Sequence, residues 1–281
     1  MNYRHAFHAG NFADVFKHTL LIGLLNALKA KPAAFCHVDT HAGRGSYALD
    51  RGPAQRTGEY RQGVLRLLAA PALPAALQAY VDVVRSFAGQ AGEALTCYPG
   101  SPLVAAALMR EQDRAIVCEL HPEEAAALRL ALRGDRRFGV HQRDGYAAMK
   151  ALLPPVQKRG LVLIDPPFEA QAGEFAIIQA ALQQALARWP HAIYAVWYPI
   201  KLEVAVAPFQ RWLGAQGKDA IVAELLLHPA NSPLRLNGCG MVIINPPWRF
   251  EQQLASWLPV LATLLAAPGE GGQRVLRLAG A

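Results

Sequence analysis

The chain has 281 residues, with 28 lysines and arginines against 21 aspartates and glutamates, which gives a formal net charge of +7. Its apolar runs reach only about 10 residues, half of what a membrane-spanning helix needs, and its first residues are polar where a secretory signal would be apolar. These properties exclude a membrane-spanning protein and favour a soluble one with a substantial core. The basic excess favours a polyanionic partner.

The four cysteines are scattered along the chain, and no two form a C-x-x-C pair. Three of them lie in apolar, strand-like runs; the four are Cys36, Cys97, Cys118 and Cys239. A disulfide framework is typical of small secreted domains with closely spaced cysteines. We therefore expect reduced cysteines in a cytoplasmic protein.

The amino-terminal segment predicts a helix from Asn11 to about Lys31. Asn11 is a capping residue, and the apolar residues after it recur at helical spacing. These residues are Phe12, Val15, Phe16, Leu20, Leu24 and Leu28.

Strand-like runs and helical patterns alternate through the rest of the chain. The strands are predicted at residues 34–39, 114–120, 138–144, 160–165 and 192–198, with helices at 121–134, 145–153 and 174–189. This alternation predicts a doubly wound α/β fold, a mostly parallel sheet with helices on both faces. Two later runs, 220–228 and 240–247, are predicted to pair antiparallel at one edge.

One connection is longer than a strand crossover requires. Roughly 75 residues separate Asp39 from Arg114, where a dozen or more suffice. Two helices are predicted within it, at residues 58–70 and 74–89. The expected organisation is a main domain of residues 1–46 and 96–281 with a helical insertion of residues 47–95.

A glycine-rich turn follows the first strand, at the strand end where open α/β sheets bind ligands. Gly43 and Gly45 remove the Cβ atoms that would keep a cofactor from the backbone. Glu119, Asp144 and Asp165 close the next three strands. A carboxylate at Glu119 can accept from both ribose hydroxyls of a nucleoside cofactor, and Asp144 can accept from the amine of its adenine.

Two other interpretations of these residues stay open. The turn also fits G-x-G-x-x-A, but the acid that a dinucleotide site needs about 20 residues later would fall in the insertion. Any single acid at a strand end can also be a helix cap. Three such acids beside a glycine-rich turn favour a cofactor cleft.

Two proline pairs end apolar runs, Asp165–Phe168 ("DPPF") and Asn245–Trp248 ("NPPW"). The first lies 21 residues after Asp144, at the end of the next predicted strand, and should share its cleft. The second follows a late edge strand. We expect "DPPF" to act chemically and Trp248 to pack in the core or line the cleft edge.

Motifs along nearly the whole chain resemble the RlmJ family of bacterial 23S rRNA (adenine-N6)-methyltransferases. They are "YRHAFHAGNFADVFKH", "RTGEY", "YPGSP", "IDPPFE", "YAVWYPI" and "INPPW". The resemblance implies a Rossmann-like class I methyltransferase fold, S-adenosyl-L-methionine as cofactor and 23S rRNA, naked or partly assembled, as substrate. Phe168 departs from the tyrosine that is usual in the family; this change keeps ring stacking but loses a hydroxyl.

The "DPPF" residues suit methylation of an adenine amine, a weak nucleophile whose lone pair is delocalised into the ring. Asp165 and the Pro166 carbonyl can accept its two hydrogens while the site holds it in line with the methyl group. The prolines fix the position of that carbonyl, and Phe168 offers a face on which an extruded base stacks.

The resemblance also implies roles for residues outside these motifs. It places His18, His41, Ser101 and Gly145 against the cofactor, and it makes Tyr3, His5 and Lys17 a substrate-binding arm. No metal is expected, because no cysteine has metal-ligand spacing from the histidines, and no protein partner is evident. A DNA adenine-N6 methyltransferase and a catalytically silent RNA-binding or ribosome-assembly protein stay open as alternatives.

Overall fold

The computed structural model describes residues 4–88, 94–169, 171–229, 233, 235–267 and 269–278. The strands are β1 (Phe35–Asp39), β2 (Ser46–Ala48), β3 (Cys97–Pro99), β4 (Arg114–Glu119), β5 (Phe138–Gln142), β6 (Arg159–Ile164), β7 (Ile193–Ile200), β8 (Ala220–Leu226), β9 (Gly238–Ile244) and β10 (Gly272–Leu278). The helices are α1 (Phe12–Lys29), α2 (Gly52–Thr57), α3 (Val64–Leu68), α4 (Ala75–Arg85), α5 (Ser101–Leu108), α6 (Pro122–Ala131), α7 (Gly145–Leu152), α8 (Gln171–Arg188), α9 (Glu203–Gly214) and α10 (Phe250–Leu265).

Eight of the strands form one sheet in the order β10-β8-β9-β7-β6-β1-β4-β5. The five strands from β7 to β5 are parallel, so their carboxyl ends share one edge of the sheet. Strand β9 runs antiparallel to both β7 and β8. Its carboxyl end therefore lies at the opposite edge, away from the ends of the parallel strands.

Helices cover both faces of the sheet, as predicted from the alternating pattern. Along β6, Leu161 and Leu163 pack into one hydrophobic cluster with α1 and α10, while Val162 and Ile164 pack into a second with α8 and α9. Successive strand residues point to opposite faces, and a strand covered on both faces is apolar throughout. No helix in the described part of the chain is long and apolar enough to cross a bilayer.

The amino-terminal helix begins where the sequence predicts. The Asn11 side chain accepts hydrogen bonds from the backbone N–H groups of Ala13 and Asp14, at 3.0 and 3.1 Å. This cap satisfies two of the donors that a helix leaves free at its start. It also fixes the start of α1. The next turn of this helix places Lys17 and His18 at the carboxyl edge of the sheet.

The insertion differs from the prediction in its first half. The helix predicted at 58–70 is wrong, because Gly58 ends α2 in the left-handed region and a short 3-10 turn, Glu59–Arg61, precedes α3. Gly63 has a φ of −111° and a ψ of −108°, outside the helical region, so the helix is interrupted at this point. The second predicted helix is present as α4, and the boundaries proposed for the two domains stay a prediction.

The antiparallel pairing of β8 with β9 is confirmed, but their predicted position at the sheet edge is wrong. Strand β10 pairs with β8 along its whole length and forms that edge. The contact is polar as well as apolar, since the Arg274 Nε of β10 donates to the buried Glu224 of β8 at 2.8 Å. Strand β10 is as long as β8, but its sequence mixes polar and apolar residues, so the search for apolar runs did not predict it.

Candidate active site

A single cleft of about 1210 Å³ lies at the carboxyl ends of the five parallel strands. It is lined by the turns after β1, β4, β5 and β6, by the wall of β7 and by the start of α1. Pockets for one small ligand usually enclose about 300–1,000 Å³. The cleft therefore has room for two ligands side by side.

The glycine-rich turn and Glu119 meet at the centre of the cleft. Gly43 has a φ of +60°, which favours glycine, and its N–H donates to Glu119 Oε2 at 2.9 Å. Glu119 Oε1 accepts from the His121 N–H at 2.7 Å. Burial raises the pKa of Glu119, although these two backbone donors oppose the shift.

Asp144 lines the cleft, but not as the end of a strand. Strand β5 ends at Gln142, and Asp144 caps α7 by accepting from the Ala147 N–H at 2.7 Å. The prediction that it closes the third strand is therefore wrong by two residues. Gly145 follows it against the turn after β1, where a Cβ would overlap the Thr40 carbonyl.

The two histidines predicted to lie near the cofactor both line the cleft. His18 is buried on α1 with its Nδ1 2.9 Å from the Tyr98 hydroxyl, and burial lowers its pKa to about 3. His41 Nδ1 lies 2.7 Å from Thr40 Oγ1, and burial lowers its pKa to about 4. Both rings are therefore neutral at physiological pH.

Ser101 opens α5 under the cleft and donates to Asp39 Oδ2 at 2.7 Å. Asp39 is fully buried at the end of β1, and its Oδ1 accepts from the His41 N–H at 3.2 Å. Burial raises the pKa of Asp39 to about 6. Asp39 was not among the predicted site residues, although an acid at the end of the first strand is the same signal that indicated Glu119.

The "DPPF" turn lies where predicted, directly after β6 and beside the turn after β1. Phe168 has a φ of +49°, which is uncommon for a residue with a side chain. Its half-buried ring contacts Phe175 and Trp197 edge-on, with centroids 5.3 and 5.9 Å away. The ring and the Asp165 carboxylate both face the cleft.

Lys17 connects α1 to this turn. Its Nζ lies 2.5 Å from Asp165 Oδ2 and 3.0 Å from Asp14 Oδ1. Burial alone would lower the pKa of Lys17, but the two carboxylates outweigh it and hold this pKa well above its ordinary value. His5 Nε2 joins the group at 3.0 Å from Asp14 Oδ2.

The prediction for Trp248 is wrong, and the one for Tyr3 stays a prediction. Trp248 neither packs in the core nor lines the cleft, because it is 85% exposed and follows β9, whose end lies at the opposite edge of the sheet. Asn245 anchors that turn by donating to the carbonyls of Pro190 and Ala192, at 2.9 and 2.7 Å. Tyr3 lies outside the described residues.

Comparison with known proteins identifies the family. A sequence profile described as "Ribosomal RNA large subunit methyltransferase D, RlmJ" matches residues 32–278. The chain belongs to the RlmJ family. It is 42% identical over 272 residues to ribosomal RNA large subunit methyltransferase J of Escherichia coli K12, covering 96% of each chain. It is 38% identical over 276 residues to the Haemophilus influenzae protein of the same name, covering 98% of each.

The fold is shared with a solved structure as well. The crystal structure of a Legionella pneumophila protein, 34% identical, matches with a TM-score of 0.88 over 98% of this chain and 99% of that one. The RlmJ resemblance and the predicted Rossmann-like class I methyltransferase fold are thus confirmed. Within the described residues, no three histidine, cysteine or acidic side chains are placed to hold a metal ion.

Proposed function

We propose that the protein transfers a methyl group from S-adenosyl-L-methionine to the exocyclic N6 of an adenine in 23S rRNA in the cytoplasm. The observation that carries this proposal is the placement of the "DPPF" turn and the Glu119 carboxylate in one cleft with room for two ligands. The family and its two curated relatives support rRNA as the substrate class.

The half of the cleft around β1 and β4 suits the cofactor. Gly43 and Gly145 bring backbone close to the cleft, and Glu119 and Asp144 place carboxylates along its wall. When bound, S-adenosyl-L-methionine supplies an electrophilic methyl group on a cationic sulfonium. Glu119 would accept from the ribose hydroxyls, and Asp144 would accept from the adenine amine of the cofactor while its other oxygen keeps the α7 cap.

Asp165 would position the target amine. Its Oδ2 accepts from Lys17, which leaves Oδ1 to accept from the adenine amine beside the Pro166 carbonyl. These two acceptors would hold both hydrogens and turn the nitrogen lone pair toward the methyl group, a contribution of orientation. Lys17 would stay protonated and hold the Asp165 side chain in place.

Phe168 would provide the stacking surface for the extruded base. Its ring lines the cleft and is held in place by T-shaped contacts with Phe175 and Trp197. Stacking on an aromatic side chain contributes about 1–3 kcal/mol per base. The departure from tyrosine at this position leaves that contribution in place.

Two alternative functions are separated by experiment. Wild-type protein and Asp165→Ala would be incubated with labelled cofactor and either 23S rRNA that lacks its own modifications or duplex DNA, and the nucleosides would then be analysed. The proposal expects N6-methyladenosine in the rRNA alone, at least 100-fold less product with Asp165→Ala, and cofactor affinity within a few fold of wild type by calorimetry. Label in DNA would favour the DNA methyltransferase. RNA retention without turnover would favour a silent binding protein.

A further inference from the structure

Strand β7 extends beyond the carboxyl end of β6 and forms one side wall of the cleft. Its pairing with β6 ends at Ile164 opposite Val196, whereas its pairing with β9 continues to Ile200. The four extra residues extend the wall by about 13 Å at 3.3 Å per residue. Trp197, Pro199 and Lys201 alternate along it on one face, and all three line the cleft.

Lys201 at the top of this wall is tied to Arg235 by a buried asparagine. Asn237 is fully buried, and its Nδ2 donates to the Lys201 carbonyl at 2.6 Å. Its Oδ1 accepts from Arg235 Nε at 2.8 Å. This asparagine holds the backbone of Lys201 and the side chain of Arg235. Both residues are exposed and line the cleft on the side of Trp197, which contacts Phe168.

The rest of the cleft lining is acidic, which is unsuited to RNA. Nine described lining residues are carboxylates: Asp14, Glu59, Glu119, Glu123, Glu124, Asp144, Asp165, Glu169 and Glu174. Four are lysine or arginine: Arg4, Lys17, Lys201 and Arg235. Lys17 is occupied by Asp14 and Asp165. An acidic cleft favours a cationic cofactor, but a polyanionic substrate needs cations to enter it.

We propose that Lys201 and Arg235 form a phosphate-binding site for the RNA strand that flanks the target adenosine. The inference rests on the proposed function and extends it to Lys201 and Arg235, for which the sequence alone predicts no role. With the base against Phe168 and Trp197, the ribose-phosphate chain leaves the cleft along the β7 wall toward these two side chains. A guanidinium presents a planar pair of donors that matches a phosphate, and an ammonium binds one as a point charge.

The test measures RNA binding and its salt dependence for Lys201→Gln, Arg235→Gln and the double variant. The probe is an unmodified 23S rRNA transcript, and Kd is measured between 50 and 300 mM salt. Each variant should raise Kd by about two- to fivefold, the range for an exposed ion pair. The slope of log Kd against log salt should fall by about 0.7 per lost contact, the value for single strands.

Matched controls separate local contact from overall charge. Lys158→Gln and Arg211→Gln remove exposed charges of the same kind, before β6 at the opposite edge of the sheet and on α9. Both should keep the wild-type Kd and slope. Lys201→Arg, which retains the charge, should restore binding. Calorimetry with the cofactor and thermal melting should be unchanged in Lys201→Gln, which establishes that the fold and the cofactor half are intact.

The outcomes distinguish this inference from the proposed function. Failure of the wild-type protein to methylate the transcript would count against the function itself. Wild-type turnover with a Kd and salt slope in the double variant equal to those of the two controls would overturn the phosphate site. An equal loss in the variants and in the controls would also overturn it, since general charge would then account for RNA binding.

Discussion

Lys17 Nζ and Asp165 Oδ2 lie 2.5 Å apart, although 148 residues separate them in the chain. The contact joins α1 to the turn after β6, and Asp14 completes it from one helical turn earlier. A lysine held between two carboxylates stays charged and cannot act as a base. Its role is to hold the Asp165 side chain in position in the cleft.

Replacing Lys17 with methionine should reduce turnover. Without the ammonium, Asp165 loses the partner that holds its Oδ2, so its Oδ1 is no longer fixed in position for the target amine. Loss of this positioned hydrogen-bond acceptor should lower kcat by roughly 10²-fold. The measurement is kcat, normalised to folded protein.

Stability needs a separate control for this substitution. Removing one partner of a buried ion pair costs about 3–5 kcal/mol, and Asp14 would keep His5 and the Gly10 N–H as its partners. Lys17→Arg keeps the charge and should retain most of the wild-type kcat. A wild-type kcat in the methionine variant would show that Lys17 does not position Asp165.

Glu119→Ala should weaken cofactor binding by about 1.5–3 kcal/mol, as expected for a lost charged hydrogen bond. It also removes the acceptor of the Gly43 and His121 N–H groups, so thermal stability should fall. Glu119→Gln keeps one acceptor oxygen, so its cofactor affinity and its melting temperature should lie between those of the wild type and of Glu119→Ala. Calorimetry with the cofactor decides: unchanged affinity in the alanine variant would leave Glu119 with only its structural bonds.

The sequence could predict that Glu119 and Asp165 line one cleft, because the signals for these two residues are local. Glu119 and Asp165 directly follow apolar strands, and the carboxyl ends of parallel strands converge at one edge. The glycines of the first turn are informative in the same way. Contacts between distant segments could not be predicted. No residue near Lys17 in the sequence indicates its contact with Asp165, and none near Asn237 indicates its contact with Lys201.

Phe168→Ala should reduce RNA-dependent activity by about 1–3 kcal/mol, the contribution of one stacked base. Phe168→Tyr should be tolerated, because the ring face is retained. Trp248→Ala is the matched aromatic control, and its exposure at the opposite edge of the sheet predicts wild-type activity and a melting temperature near that of wild type. All three would be compared per folded molecule in one assay. If Trp248→Ala were inactive and Phe168→Ala active, the "NPPW" turn and not the "DPPF" turn would be the catalytic one.

The prediction that Trp248 lines the cleft or packs in the core is wrong because of the direction of β9 in the sheet. "NPPW" has the same local pattern as "DPPF", and both follow apolar strands. The difference is the direction of β9, which runs against β7 and so carries its turn to the far edge. Strand direction depends on pairing across the whole sheet. A motif at a strand end therefore locates a site only when the direction of that strand is known.

Asp39→Asn should stabilise the protein at neutral pH by an amount that disappears in acid. Because burial raises the pKa of Asp39 from 3.8 to about 6, the folded protein keeps a proton that the unfolded chain loses between these values. Stability from this group is full below about pH 4 and falls as pH rises to about 6, by on the order of 3 kcal/mol. The measurement is the free energy of unfolding in urea from pH 4 to 8. An asparagine Oδ1 can still accept from the His41 N–H.

Asp113→Asn is the control of opposite sign. Asp113 is also buried, and burial would raise its pKa, but hydrogen bonds from Arg110 and the Phe35 N–H outweigh this and lower it. Its stabilisation is present above the unfolded pKa and is lost as pH falls, so this variant should be least stable relative to wild type at neutral pH. The Asp113→Asn difference curve should therefore be nearly level between about pH 4 and 6, above the unfolded pKa of 3.8, whereas the Asp39→Asn curve should change across this range. Parallel curves would mean that Asp39 is ionised in the folded protein throughout this range, held so by Ser101 and its other donors.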